Sequence, residues 1–502
     1  TAFNQNIGSW NVSNVANFTS FLQNGTSINF SATNLDAIYN GWSSRTVQSG
    51  ITITFGTAKY NTSSQSGRDI LTGGTNLWNI TDGGVVPVPF QMTVDTTKTG
   101  TSSNTSMTIP FASGTFTNCV VDWGDSTTTT VTTSGNVTHD YGATNTAAVI
   151  QISGAFPGLL FANGGDKLKL TTVDQWGTNV FTSMNQAFQG CANFTGGFTD
   201  YPTFTTTGMY ATFYQCTNFN ADMNSWDMSG ITTMQYMFYQ CSSFNQNLNS
   251  WDVSNVTTFS GTFYQCTNFG LNGTGGNISS WDPSSCTTMN SMFRLCSNFN
   301  SNIDGWDVSN VTDMFSVFNT CTSFNQPLNS WNMTGVTTMQ YMFYQCSSFD
   351  QNLNSWDVSD VVIMLDMFFA CVNFSGNVSS WTPSSCTNMS SMFRLCRKFN
   401  SDIGGWDVSN VTTMNSMLND CNLFDQDLGS WDVGSCTVFA NFMISKTPST
   451  FSAANLDAIY NGWSSRTVQS GVTISFGTAK YNSTAQSGRD ILTGGTNVWN
   501  LT

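Results

Sequence analysis

The chain has 502 residues, 29 acidic side chains against 14 Lys and Arg, a net charge of −15 and a single histidine, His139. That acidity argues against a nucleic-acid partner, whose phosphates need clustered Lys and Arg. One histidine nearly excludes a His-based triad or a multi-histidine metal centre. Charged residues make up only 9% of the chain, yet 39 Phe, 21 Met and 16 Trp supply ample apolar surface for a core. Disorder is therefore excluded, and polar chemistry falls to Asn, Ser, Thr and Gln.

Residues 1–24 open inside a repeat and read as the final turn or turns of a preceding array. Residues 25–82 follow as a capping domain, whose WSSRTVQSGITITFGTAKY pattern predicts a short helix followed by strands. Stacked repeats need such a cap over their last open turn. Over 83–157 Thr and Ser dominate, and FQMTVDT, SMTIPF, CVVDWGD, TTTTVTT and AVIQISG alternate apolar and polar residues. This is strand patterning and predicts a small all-β sandwich.

Residues 158–445 form a periodic array. Cysteines recur at Cys191, Cys216, Cys241, Cys266, Cys296, Cys321, Cys346, Cys371, Cys396 and Cys421, in steps of 25 with a single step of 30. Tryptophans from Trp226 to Trp431 keep the same steps, which places one five-residue insertion between Phe269 and Trp281, near Gly273 to Gly276. Within one repeat, Met234, Met237, Phe238 and Cys241 stand at i, i+3, i+4 and i+7, which predicts a short helix. Phe244, Leu248 and Trp251 lie in a polar stretch that reads as a short strand and a turn, and Ser254 or Asn255 reads as the next N-cap. One such unit cannot bury its apolar face alone, whereas stacked units share a core. The expected fold class is thus an α+β repeat: a solenoid, of the leucine-rich-repeat type by the resemblance given below, with a short strand and a short helix per 25-residue turn, preceded by a small all-β sandwich and closed by an α+β cap. The longest apolar run, Val361 to Val372, is interrupted by Asp366 and falls short of a membrane span.

Residues 446–502 are a second capping domain, a copy of 25–82. Residues 1–81 match 422–502 at a constant offset of 421, so that Trp10 pairs with Trp431 and Trp78 with Trp499. The expectation is a window on a longer tandem array, with neighbouring copies of the same unit as partners.

The unit FNQNLNSWDVSNVTTM, followed by MF and Cys, resembles the BspA-type leucine-rich-repeat surface proteins in their 25-residue branch, over about 182–445 and 1–23. VDWGDS (121–126) and THDY (138–141) resemble a PKD-type immunoglobulin-like domain. Residues 166–191 are similar to the segment that joins such domains to the repeats. The chain departs from the pattern at Cys241 and its equivalents, where a small residue is usual, and at Cys286, Cys386 and Cys436, which replace the second Val. The resemblance implies an extracellular surface protein engaged in adhesion or recognition, with no catalytic residue.

The cysteine row reads chiefly as a buried thiol ladder that packs as small hydrophobes, with disulfides between adjacent turns as the other reading. No CxxC pair supports zinc. Asp227, Asp252, Asp282, Asp307, Asp357, Asp407 and Asp432 form a carboxylate row that could take calcium, with Asp227, Asp252, Asp307, Asp357 and Asp407 as its candidates, although each also precedes an expected helix start, where a carboxylate caps. Asn332 and Thr382 interrupt this row. His139 with Asp140 and Asp125 reads as a structural turn and strand. The amides Asn245, Gln246, Asn247, Asn325, Gln326, Gln351 and Asn352 are candidate contacts for sugar hydroxyls or a receptor protein, with stacking from the Trp row; their alternative use is solvation and pairing along the stack. The expected function is non-enzymatic: a structural and adhesive segment of a cell-surface fibre or stalk that attaches by multivalent contacts. The alternative is a viral fibre on a virion surface, recognising a host receptor or glycan. No cofactor is expected beyond possible calcium, and no membrane span within this chain.

Overall fold

The computed structural model describes residues 3–273 and 275–502; Thr1 and Ala2, in the expected first turn, and Thr274, in the glycine-rich insertion, lie outside them. The chain divides into two compact units, Thr1–Pro89 and Phe90–Thr502.

In the first unit, α1 (Ala32–Ser43) starts at Ser31, whose hydroxyl accepts the Asn34 N–H. Leu35, Ile38, Tyr39 and Trp42 form its buried stripe. The chain then runs through β1 (Thr52–Thr54), α2 (Gln65–Thr72) and β2 (Asn79–Thr81). β1 and β2 pair in parallel, which requires a crossover, and α2 supplies it. The sequence reading expected one helix followed by strands. α2 escaped it because QSGRDILT buries only Gly67 and Leu71. Gly67 sits where a Cβ would meet the Tyr39 backbone at 2.8 Å, so close helix packing excludes any larger residue.

The second unit opens with β3 (Phe90–Val94), β4 (Ser106–Phe111), β5 (Thr117–Asp122), β6 (Thr128–Val131), β7 (Gly135–Asp140), β8 (Ala148–Ala155) and β9 (Leu170–Gln175). An antiparallel sheet has the order β6-β5-β8-β3-β9, and β4 pairs with β7 in a second sheet. The sheet crosses the expected boundary at 157, because β9 comes from the stretch assigned to the repeats. In β9 only Leu170 and Val173 are buried, three residues apart, so it lacks the alternation that marks a strand. Beside it, Lys169 Nζ donates to the carbonyls of Ser103 (2.7 Å) and Ser106 (2.9 Å), while Asp166 accepts the Thr108 N–H (2.7 Å).

After the short parallel pair β10 (Val180–Phe181) and β11 (Thr203–Phe204), the repeats stack. Single parallel bridges run Gly208, Thr233, Thr258, Thr288, Asp313, Thr338, Ile363, Asn388, Thr413, Val438, one per turn. The expected helix is absent: among the described residues of 158–445 the one helical segment is a 3₁₀ turn at Leu271–Gly273. The expected strand over Phe244 to Trp251 is absent too. Hydrogen bonding explains both. Met237, Tyr239 and Cys241 N–H groups close onto carbonyls three residues back, whereas Met234, Tyr236, Phe238 and Gln240 N–H groups cross to Thr258, Ser260, Thr262 and Tyr264 in the next turn. Tyr236 (φ 57°) and Gln240 (φ 60°) take the left-handed backbone that this alternation requires. A left-handed residue costs a non-glycine about 1–2 kcal/mol; each offending turn also gains inter-turn hydrogen bonds. The helical spacing of apolar residues is thereby preserved without a helix.

Met234, Met237, Phe238, Cys241, Phe244, Leu248, Trp251, Val253 and Val256 of this turn are all buried. Rings stack on their equivalents, Phe238 on Phe263 at 5.5 Å and Trp356 on Trp381 at 6.2 Å. At about 1.5–3 kcal/mol per large side chain, this burial is the main stabilising term. The last turn is closed by α3 (Ala453–Ser464), β12 (Thr473–Ile474), α4 (Gln486–Thr493) and β13 (Asn500–Leu501). Phe439 bridges Ile474, Met443 N–H donates to Ser475 O, and Trp463 Nε1 donates to Leu428 O (2.8 Å).

Candidate recognition face

Each row named from the sequence has a definite place in the stack. All fourteen cysteines are free and buried. Cys241 Sγ donates to Phe213 O (2.9 Å) and Cys346 Sγ to Phe318 O (2.9 Å), each in the preceding turn. Burial pushes every one of these thiols up; Cys286, Cys386 and Cys436 reach about 12. A protonated, enclosed thiol is a poor nucleophile and a poor metal ligand.

The carboxylates Asp227, Asp252, Asp307, Asp357 and Asp407 accept the N–H two residues on, from Ser229, Ser254, Ser309, Ser359 and Ser409 at 3.0–3.1 Å. They close local turns rather than cap helices, and Asn332 does the same for Thr334. The Ser254 hydroxyl and then its N–H hold Asp252 below the usual carboxylate range. Among the described residues no group of three or more His, Cys, Asp or Glu could hold a metal ion.

The amide row is engaged within the stack. Asn245 N–H donates to Asn220 Oδ1, and Asn245 Oδ1 accepts the Gly270 N–H. Asn325 Oδ1 accepts the Asp350 N–H and Gln351 Nε2, and Gln246 Nε2 reaches back to Asn220. Asn247 and Asn352 close their own loops onto the N–H groups of Asn249 and Asn354, and Gln326 is half-buried beside them. Tryptophan stacking on a ligand is ruled out for the row from Trp251 to Trp431: the rings are buried, and their Nε1 atoms donate to carbonyls of the preceding turn, as Trp331 does to Ile303 O (2.9 Å).

Beside the strands β5 and β7, His139 Nε2 lies 2.7 Å from Asp125 Oδ2, and the ring stacks on Trp123 at 4.9 Å. Tyr141 OH donates to Trp123 O, and Asp140 accepts the Gly142 N–H. These contacts pin the VDWGD turn to β7, and the Thr127 hydroxyl donates to Asp125 Oδ1 (2.6 Å).

A different row carries the partly exposed chemistry. It occupies one register of successive turns: Tyr214, Tyr239, Tyr264, Arg294, Asn319, Tyr344, Phe369, Arg394. Tyr214, Tyr239 and Tyr264 stack at 4.5 and 4.3 Å, nearly parallel. The Arg294 guanidinium lies over Tyr264 at 5.5 Å, and Arg394 over Phe369 at 5.5 Å. Burial, and after it Tyr264, push Tyr239 up to about 12, so its phenol stays neutral. Alongside, Gln215, Gln240 and Gln265 pass an amide chain at 2.8 and 2.9 Å, edging a groove of about 470 Å³. A second groove of about 670 Å³ runs from Arg294 past Asn319 and Tyr344 to Arg394. The sequence reading missed this row because its occupant changes from turn to turn. The available signal was SMFRLC, which appears at 291–296 and again at 391–396 in a stretch almost without cations.

A family model described as "Mycoplasma protein of unknown function, DUF285" matches residues 1–65, 151–275, 270–381 and 349–459. No curated protein and no solved structure matches the chain.

Proposed function

The chain belongs to the DUF285 family, a repeat family without an assigned activity, and from that premise we propose that it is a non-enzymatic, structural and adhesive segment of an extracellular surface fibre. The finer reading is a BspA-type leucine-rich-repeat solenoid preceded by a PKD-like sandwich. The observation that carries the proposal is the row from Tyr214 to Arg394. One register of a rigid stack presents aromatic, amide and guanidinium groups turn after turn, while the thiols, indoles and surface amides are engaged internally. Several contacts along one stack raise avidity through effective concentration without requiring a strong single site.

Immunogold electron microscopy with an antibody against 182–445 tests this reading on the source material. Gold on the outer face of cells, spaced along filaments, is the expected result. Gold on virion spikes moves the protein to a viral fibre that recognises a receptor or glycan. Gold confined to the cell interior overturns the surface assignment.

A further inference from the structure

We propose that the groove between Arg294 and Arg394 is a binding site for a carboxylated oligosaccharide, a chain of sugars bearing uronate-type acids. This deepens the adhesive reading and rests on it for its biological setting, but the site is argued from its own chemistry.

Between Lys169 and Arg394 the sequence contains one cation, Arg294. In a chain of net charge −15, Arg294 and Arg394, two of the three arginines of the repeat turns, line the same groove. Arg397 and Lys398 follow Arg394 and are exposed, which extends the positive end. Among the described residues neither Arg294 nor Arg394 has a carboxylate within salt-bridge distance. Each guanidinium is positioned by the ring beneath it instead. A ring-seated guanidinium keeps its planar fork for an incoming carboxylate.

The row is open at Asn319, where Tyr264 and Tyr344 have aromatic rings in the same register. Asn319 is 7% exposed, and its Oδ1 is occupied by the Thr320 hydroxyl at 2.8 Å. Its Nδ2 has no partner among the described residues, and Asn319 lines the groove. An amide donor on the lining, a guanidinium at each end and Tyr344 along the wall suit the hydroxyls, carboxylates and flat faces of sugars. Half-buried Asp366 also lines the groove and its carboxylate opposes an acid ligand there. Four turns at a sheet-like spacing of about 4.8 Å separate the arginines by about 19 Å, long enough for a short oligosaccharide. The volume of about 670 Å³ falls within the usual range for ligand sites.

The test uses the full 502-residue chain and tri- and tetragalacturonate as probes, with isothermal titration calorimetry at low and moderate salt. Binding of the acid probes, weakened by salt and absent with the neutral galactose oligomers, is expected. R294Y and R394Y install the tyrosine already present at Tyr264 and Tyr344, so the stack is expected to keep its thermal midpoint. Loss of one charge-assisted contact weakens binding by about tenfold or more. D366S, which installs the serine found at Ser291 and Ser391, tightens binding by removing a like charge. Equal binding of neutral sugars, unchanged affinity in R294Y and R394Y at full stability, or equally tight binding of a polyaspartate peptide would each overturn the proposal. These results leave the immunogold outcome untouched, so failure of the groove and failure of the surface reading are distinguishable.

Discussion

Cys241 gives its thiol hydrogen to the carbonyl of Phe213 in the turn below, 2.9 Å away, and the same bond recurs from Cys216 to Cys421. The same Phe213 carbonyl accepts the Cys216 N–H within its own turn (2.9 Å), so the thiol is its second donor and ties one turn to the next. Cysteine is small enough for the site and still able to donate, which an alanine is not.

Thiol protonation therefore couples to folding. The unfolded thiols titrate near about 8.5, while burial raises the folded values, to about 12 at Cys286, Cys386 and Cys436. A group raised in the folded state contributes fully below its unfolded pKa and loses that contribution as pH rises toward its folded one. Lys446 acts oppositely: burial lowers it to about 8, so between about 8 and 10.4 it alone adds stability as pH rises. Fourteen thiols outweigh one amine. The urea midpoint is expected to stay level from pH 7 to about 8.5 and to fall steeply above it. A midpoint that climbs through pH 11 contradicts the thiol ladder.

Reductant is expected to leave the thermal midpoint unchanged. A thiol reagent should label no cysteine in the native chain and all fourteen in denaturant. Labelling of fewer than fourteen after denaturation without reductant would reveal disulfides.

Trp331→Phe keeps the ring stack but removes the Nε1 donor to Ile303 O. Ile303 O keeps the Trp306 N–H (3.1 Å), so the expected cost is that of one lost hydrogen bond, about 0.5–1.5 kcal/mol. Chemical denaturation measures this, and a loss below a few tenths would mean the bond contributes nothing.

Asp357→Asn retains the acceptor for Ser359, as Asn332 does for Thr334. Stability is expected to change by less than about 0.5 kcal/mol. Calcium or chelator should not shift the melting of the wild type. A calcium-dependent rise that disappears in Asp357→Asn would restore the metal reading of this row.

Asn325→Ala removes the acceptor of both the Asp350 N–H and Gln351 Nε2. The expected loss is about 1 kcal/mol of stability, with attachment of the fibre unchanged. Lost attachment at full stability would return the amide row to the binding face.

The inward positions could be read from the sequence more easily than the backbone that delivers them. Met234, Met237, Phe238 and Cys241 carry helical spacing and are all buried, but pattern alone does not separate a helix from turns that alternate hydrogen bonds between i−3 and the next turn. The left-handed backbone at Tyr236 and Gln240 has no residue signature, since tyrosine and glutamine rarely occupy it. β9 was hidden by its lack of alternation, and α2 by its polar face. For the site, Asn245 and Asn325 were recognisable as a row, but whether an amide faces a ligand or its own neighbour depends on inter-turn distance. Arg294 and Arg394 do not stand out in a pattern of residues that repeat in every turn, because they recur only once in four.

Attachment in the presence of Fab fragments raised against 182–445 tests the central claim most directly. Cells or particles that carry the protein are allowed to settle on their natural substratum, with an unrelated Fab as control. The account predicts that the repeat-directed Fab abolishes most attachment. Undiminished attachment, with Fab shown to coat the fibres, would contradict it.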